Sequence, residues 1–152
     1  MSGRGTVGEN ALHFCALFAT DAHFRIAQYV LGKFANRLCK EGDHQVRYVD
    51  TTYTGNLQSA GPTLYDGECA LHLAVAKNDR RMTQLLLSHG ADVNTPFARG
   101  EFFEGFLYFG GSVLGFAIVN ADRTIFNMLI EAGMLCLRYA LPLNLLVDRC
   151  CG

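Results

Sequence analysis

One short element occurs three times in this chain, and each copy opens with a glycine that is followed by an apolar stretch. The clearest copy begins at Gly67 and reads Gly-Glu-Cys-Ala-Leu-His-Leu-Ala. Another begins at Gly8 and reads Gly-Glu-Asn-Ala-Leu-His-Phe-Cys, and a weaker one begins at Gly110. A small repeated unit cannot bury its apolar face alone, so it has to stack on its neighbours. The repetition therefore predicts an array of similar units rather than one large core.

Each copy predicts two helices separated by a turn. In the middle copy, Lys77-Asn78-Asp79 form the turn and Gly90 ends the second helix, because glycine takes the left-handed conformation without strain. One apolar stripe is expected on each second helix, from Ile26, Tyr29 and Val30, from Met82, Leu85 and Leu86, and from Ile125, Met128 and Leu129. If Ile26 is aligned with Met82 and Ile125, the turn at residues 19–21 of the first copy should be about one helical turn longer than the turn of the middle copy. Thr20 or Asp21 is expected to cap the helix that follows.

The middle copy resembles an ankyrin repeat. The G-x-T-P-L-H-x-A opening of that family is matched by Gly67, Leu71, His72 and Ala74, and its G-A-D-V-N close by residues 90–94. The resemblance implies an all-α solenoid of about three helix-turn-helix repeats with two enlarged fingers, the loops that join successive repeats. The structural positions that it implies are Gly8, Leu12, His13, Gly67, Leu71, His72, Gly90, Asp92, Gly110, Leu114 and Gly133.

The two histidines of these openings are predicted to be structural rather than metal ligands or catalytic bases. In the ankyrin family this histidine hydrogen-bonds across the turn at the base of the finger. The third copy has Gly115 at this position. That repeat is therefore expected to lack the bond and to be locally weaker.

The spacing of the copies predicts where extra residues lie. Gly67 follows Gly8 by 59 residues and Gly110 follows Gly67 by 43, whereas an ankyrin repeat has about 33. The surplus is expected in fingers at residues 42–66 and 95–109, between repeats at about 8–41, 67–94 and 110–133. The apolar residues 134–152 do not continue the pattern, and they are interpreted as a truncation product or a makeshift cap.

Composition and motifs favour a non-catalytic protein. The net charge of -1 argues against a nucleic-acid partner, which normally meets a clustered basic face. The six cysteines form no C-x-x-C pair, so they predict reduced thiols rather than a metal site. No G-x-S-x-G, H-E-x-x-H or phosphate-binding glycine loop occurs. We expect no enzyme activity, no cofactor, no signal peptide and no membrane insertion by this chain itself.

Three pieces resemble the cytosolic N-terminal ankyrin domain of transient receptor potential cation channels, vanilloid subfamily. Residues 4–13 are similar to an R-G-x-x-G-E-T-x-L-H entry of invertebrate members, and residues 90–93 with 100–103 to a G-A-D-V then G-x-F-F finger. Tyr108-Phe109-Gly110 with Leu114, Phe116 and Ala117 resembles the Y-F-G-E-x-P-L-x-x-A-A signature, although Gly111 replaces its glutamate.

This resemblance implies a fragment of the cytoplasmic ankyrin domain of a calcium-permeable cation channel. The fragment would act in protein–protein contact and subunit assembly, would be unable to conduct by itself, and would lie on the cytoplasmic side of a membrane, or in the cytosol if expressed alone. Some members bind ATP through lysines at positions held here by Glu9 and Phe14. Neither side chain pairs with phosphate, so nucleotide binding is not expected although Lys77 is retained.

The aromatic fingers leave two interpretations open. Their rings either pack finger against finger, or remain exposed as a ridge that contacts neighbouring channel subunits or other proteins. The candidates for partner binding are Tyr53, Arg99, Phe102 and Phe103. The alternative function is a free-standing cytosolic ankyrin adaptor. A sensor of small ligands on the concave face is disfavoured by Glu9 and Phe14.

Overall fold

A computed structural model describes residues 8–53, 67–95 and 112–133 of the chain. The first range holds helix α1 (Ala11–Phe18), helix α2 (Asp21–Phe34), strand β1 (Leu38–Glu41), strand β2 (His44–Arg47) and a 3-10 turn (Tyr48–Asp50). The second holds α3 (Ala70–Ala76) and α4 (Arg80–Ser88), and the third holds α5 (Val113–Asn120) and α6 (Arg123–Glu131).

The six helices form three pairs that stack on one another. Within the pairs, α1 packs against α2, α3 against α4 and α5 against α6. Between the pairs, α3 lies between α1 and α5, and α4 contacts α2 and α6. We call α1, α3 and α5 the inner helices and α2, α4 and α6 the outer helices. This arrangement confirms the predicted fold class, an all-α stack of ankyrin-type helix pairs.

The apolar core runs through all three pairs. Many of its members are small or branched residues. The largest buried side chains include Leu12, Leu31, Leu71, Met82, Leu86, Phe116, Ile125 and Leu129. Every residue of α3 is buried. The core is therefore built between repeats as much as within them.

The second helix of each pair begins at the same distance from the opening glycine, so the expected longer turn in the first pair is wrong. Thr20, Asp79 and Asp122 are the N-caps of α2, α4 and α6, and each lies twelve residues after the opening glycine of its repeat. Ala19 and Asn78, at equivalent positions, have nearly equal positive φ angles of 51° and 54°. The capping position therefore fixes the alignment better than the apolar stripe does.

The position of the N-cap also shows that the apolar stripe predicted for α2 is wrong. Ala27 and Leu31 are the buried residues of this helix, whereas Ile26 and Tyr29 are 48% and 67% exposed. Counted from the caps, Ala27 is equivalent to Leu86 and Leu129, which are also buried. The prediction selected the largest apolar side chains of the helix. The interface between the packed helices instead holds the small side chain of Ala27 at this point.

The first finger begins with a β-hairpin. Leu38 lies opposite Arg47 and Glu41 opposite His44 in the antiparallel pair. Gly42, taken as the start of this finger, lies in the hairpin turn with a φ of 57°. The hairpin thus starts at Leu38, within the range assigned to the first repeat, because α2 ends at Phe34. A second short pairing joins Thr52 to Cys69 at the base of the finger.

The chain that follows α4 ties the second repeat to its neighbours. Gly90 has a φ of 80°, which favours glycine, and a β-carbon there would come within 3.3 Å of the flexible Arg47 guanidinium, which would have to move slightly. The Asp92 amide donates to the Asp50 carboxylate at 2.7 Å, and the Asp92 carboxylate accepts from the Asn94 amide at 2.9 Å. The predicted structural positions Gly90 and Asp92 therefore lie in one hydrogen-bonded turn.

The corrected register of α2 can be tested by a pair of variants. Leu31→Ala removes a buried side chain and should lower the free energy of unfolding by about 2–5 kcal/mol. Ile26→Ala changes a half-exposed side chain and should cost less than about 1 kcal/mol. Urea denaturation followed by circular dichroism measures both. The stripe of Ile26, Tyr29 and Val30 would be reinstated if Ile26→Ala were the more damaging change.

Candidate protein-interaction surface

The two opening histidines lie buried between the turns and the neighbouring repeats. The Asn10 amide donates to Nδ1 of His13 at 3.2 Å, and the Cys69 amide donates to Nδ1 of His72 at the same distance. Nε2 of His13 lies 3.2 Å from the Glu68 carbonyl oxygen of the next repeat. The His13 ring therefore joins the start of α1 to the next repeat, and the His72 ring accepts a hydrogen bond at the start of α3.

The third repeat differs at this position, as its sequence predicts. Gly115 has no side chain to accept a hydrogen bond, although its amide donates to the Ser112 hydroxyl at 3.2 Å, as the His13 amide does to the Asn10 side chain. The face of α5 therefore lacks the imidazole that α1 and α3 carry. The effect on local stability stays a prediction.

Tyr53 is the one predicted partner-binding residue that the structure describes. Its ring meets the His13 ring edge-on, with the centroids 5.4 Å apart. Its amide donates to the Glu68 carbonyl and its carbonyl accepts from the Gly67 amide, both at 2.8 Å. Tyr53 is half-buried and forms part of the base of the finger. Arg99, Phe102, Phe103 and Gly110 lie outside the described residues, as do most of both fingers and residues 134–152.

Glu68 is a buried carboxyl group that the sequence analysis did not single out. The residue has no exposed surface, and neither carboxylate oxygen has a hydrogen-bond donor within the described ranges. Burial raises the pKa of Glu68 to about 8, although the neighbouring His72 opposes the shift. The signal available in sequence was the glutamate that follows the opening glycine in two copies, since Glu9 is buried as well.

An aromatic strip lies on the first helix pair. The Phe14 and Phe18 rings stack with their centroids 6.2 Å apart, and Phe18 stacks on His23 at 5.3 Å. Phe14 and Phe18 are 42% and 57% exposed. Exposed aromatic side chains of this kind are typical of protein-binding surfaces because they bury a large area at a small entropic cost.

Arg80 and Arg81, at the start of α4, pair with acidic residues of the flanking repeats. Arg81 pairs with Asp21 at 2.8 Å and lies over the Phe24 ring, 4.4 Å from its centroid. Arg80 pairs with Asp122. The hydrogen bond from Arg81 lowers the pKa of Asp21, and the Ile125 amide and then Arg80 lower that of Asp122. These ion pairs link neighbouring repeats, so this cluster is not a free basic patch.

Glu9 and Phe14 occupy the positions at which the sequence resemblance places ATP-binding lysines, and neither residue is suited to bind phosphate. Glu9 is buried at 7% exposure, and its carboxylate would repel an anion if ionised. Phe14 offers only an apolar ring. Lys77 is exposed at the turn before α4. Nothing at Glu9 or Phe14 supplies the cations that a triphosphate requires.

The described ranges contain no cluster of three or more histidine, cysteine or acidic side chains able to hold a metal ion. The three cysteines within them, Cys15, Cys39 and Cys69, are free thiols. Burial raises the pKa of Cys69 to about 11, which keeps that thiol protonated and unreactive. None of the helices α1 to α6 in the described ranges has the length and apolar character that crossing a membrane requires.

The comparisons with known proteins agree with this geometry. Residues 66–96 match the family model described as "Ankyrin repeat". Those residues include α3, α4 and the turn at Asp92. Residues 66–96 are therefore similar to one ankyrin repeat, and the helix pairs on either side of them stack in the same way.

The curated relatives are ion channels. "Transient receptor potential cation channel subfamily V member 4" of Homo sapiens is 38% identical over 72 residues, and its Mus musculus counterpart is 36% identical over the same length. "Transient receptor potential cation channel subfamily V member 1" of Oryctolagus cuniculus is 29% identical over 100 residues. The member 4 matches cover 44% of this chain and 8% of the channel, and the member 1 match covers 62% and 11%. The chain thus resembles a small part of these channels, as its sequence motifs predict.

The buried carboxyl of Glu68 predicts a specific pH dependence of stability. Because the pKa of Glu68 rises from its ordinary value of 4.5 to about 8 on folding, the folded protein holds this proton more tightly. Its contribution to stability is complete below about pH 4.5 and is lost as the pH rises through about 8. At about 1.4 kcal/mol per pKa unit, the change amounts to a few kcal/mol.

Glu68→Gln cannot titrate and should remove this dependence. Urea denaturation of both proteins between pH 4.5 and 8 should give a difference in unfolding free energy that moves in favour of the variant as the pH rises. Asp43→Asn, at an exposed position of the hairpin turn, is the control for loss of one carboxyl group. A difference that stays constant with pH would show that the Glu68 carboxyl ionises normally.

Proposed function

We propose that this chain is part of the cytoplasmic ankyrin domain of a vanilloid-type cation channel and that it acts by binding protein. The full channel would be calcium-permeable, and the ankyrin domain would join neighbouring subunits without conducting ions itself. The domain would lie on the cytoplasmic side of the membrane. The observation that carries this proposal is the 38% identity to a vanilloid-subfamily channel over 72 residues.

The described structure supports a binding role over a catalytic one. Ankyrin repeats are interaction domains, and here the buried histidines join repeats instead of facing a reaction site. The exposed aromatic strip of Phe14 and Phe18 and the exposed Leu38 of the hairpin are typical of a contact surface. The two functional elements are therefore the helix stack, which holds the fingers in place, and the fingers themselves.

Within this proposal, the fingers contact the neighbouring subunit through Arg99, Phe102 and Phe103. Arginine and phenylalanine side chains are common at the centres of protein interfaces, where they bury large surfaces. Tyr53 contributes from the base of the first finger, where its ring is braced by His13. A braced ring loses little further entropy when a partner binds.

The alternative is a free-standing cytosolic ankyrin adaptor with long fingers. Both functions use the same helix stack, because the fold itself fixes no partner. A channel and an adaptor differ in what their reading frames encode besides these repeats. Full-length sequencing of the transcript decides between them. A frame that continues into six apolar spans supports the channel, and a frame that encodes the repeats alone overturns it in favour of the adaptor.

Contact through the fingers can be tested by a double variant. Phe102→Ser with Phe103→Ser should leave the helical circular dichroism unchanged and abolish co-precipitation of two differently tagged copies of the complete reading frame. Tyr29→Ser is the matched control, because this ring is 67% exposed on α2 and is remote in sequence from both fingers. Loss of helicity in the double variant would assign the two phenylalanines to packing, and unchanged co-precipitation would remove them from the interface.

A further inference from the structure

A groove of about 760 Å³ lies between the first two helix pairs, at the C-terminal ends of α2 and α4. The described residues along its walls come from three places. They are residues 31–37 at the end of α2, residues 88–90 at the end of α4, and Arg47 at the end of β2. Because neighbouring pairs form the groove, repeats stacked before the first pair or after the third would extend the array without entering it.

Basic side chains line this groove. Lys33, Arg37 and Arg47 all lie along it, and none of the described residues on its walls is acidic. Arg47 pairs with Asp50 at 2.6 Å, whereas no carboxylate of the described ranges forms a salt bridge with Lys33 or Arg37, which are both exposed. The backbone carbonyls at the two helix ends carry roughly half a negative charge each, which offsets only part of the positive charge. The groove therefore keeps a net positive charge.

The hairpin continues this surface. Leu38 lies opposite Arg47 and Lys40 opposite Gln45, and cross-strand partners and alternate residues project from the same face of a pair of strands. Leu38 and Lys40 therefore share the face of Arg47, and both are exposed. Glu41 lies on the opposite face, where its carboxylate accepts hydrogen bonds of 2.8 and 3.0 Å at the base of the finger. We call the groove, together with Leu38 and Lys40, the basic groove.

Apolar side chains are exposed beside the cations of the basic groove. Phe34 and Leu38 are 38% and 60% exposed, and the Arg37 guanidinium lies over the Phe34 ring, 5.9 Å from its centroid. A free phosphate group would pair with the cations alone and leave these apolar surfaces in water. An extended polypeptide that carries both carboxylates and apolar side chains complements both features. Since the whole chain has a net charge of -1, the attraction for such a segment is local to the groove.

We propose that the basic groove binds an acidic segment of a partner protein, in which apolar side chains are interspersed with carboxylates. Lys33, Arg37 and Lys40 would pair with the carboxylates, and Phe34 and Leu38 would pack against the apolar side chains. These residues are separate from those of the finger contact in the proposed function, so the two proposals fail independently. The inference applies to a channel and to an adaptor alike, because both would carry the same groove.

The test measures binding of a fluorescein-labelled octapeptide of alternating glutamate and leucine by fluorescence anisotropy. Lys33→Glu with Arg37→Glu reverses two exposed charges of the groove and should raise the Kd of the peptide about tenfold or more. Arg25→Glu with Lys77→Glu is the matched control. It makes the same change in net charge at two exposed positions, in the first half of α2 and just before α4, and should change the Kd less than about twofold. Circular dichroism verifies that both double variants are folded.

Altered probes test the chemistry of the partner. A peptide with glutamine in place of glutamate, and one with serine in place of leucine, should each bind the wild-type chain more weakly than the original peptide. Neither inorganic phosphate nor vesicles of phosphatidylserine should displace the original peptide. The proposal is overturned if that peptide does not bind, if either altered peptide binds equally well, or if the two double variants lose binding to the same extent. Displacement by the vesicles would assign the groove to a lipid surface instead, and displacement by phosphate would assign it to a simple anion.

Discussion

The stacking of the inner helices is the interaction on which this structure depends. Helix α3 lies between α1 and α5, and all seven of its residues are buried. A seven-residue helix has almost no stability in isolation, because nucleation costs more than so few hydrogen bonds return. Its order comes from burial against both neighbours. The small side chains of Ala70, Ala74 and Ala76 make that close approach possible.

Polar groups set the register of this apolar stack. The Asn10 amide group contacts the Thr51 hydroxyl at 2.5 Å, and the Asp122 amide donates to the Asn78 side chain at 3.0 Å. Each bond joins residues of different repeats or of a repeat and its finger. Apolar surfaces alone would tolerate sliding, whereas leaving the buried Asn10 donor without an acceptor would cost about 1–3 kcal/mol. The exposed Asp122 bond adds a weaker preference. These bonds therefore favour one alignment of the pairs.

Much of the fold follows from sequence because the repeat is seen more than once. The opening Gly-Glu-x-Ala-Leu-His in two copies predicts the short inner helices and the buried histidines, and the polar triplet at residues 77–79 predicts the turn before α4. The buried face of α2, the outer helix of the first repeat, was harder to predict from sequence. Ile26 and Tyr29 are larger and more apolar than Ala27, yet the space beside α1 admits the alanine. Side-chain size predicted the stripe, but the capping residue Thr20 determines the register.

The candidate surface was less accessible to sequence reasoning than the fold. Finger aromatics can pack or bind, and composition does not distinguish these roles. Tyr53 illustrates the problem, since it lies against a histidine that is 40 positions earlier in the chain. Glu68 follows a repeated glycine, but the burial that shifts its pKa arises only when three repeats are stacked.

Amide hydrogen exchange read by mass spectrometry tests the central claim most directly, because it reports opening helix by helix. If stacking on both sides stabilises α3, the amides of residues 70–76 should exchange most slowly, and those of α1 and α5 should exchange faster because each packs against one inner helix within the described stack. A protein in which α3 exchanges as fast as α1 and α5, or faster, would contradict this account. Stability would then come from within each helix pair rather than from the stack.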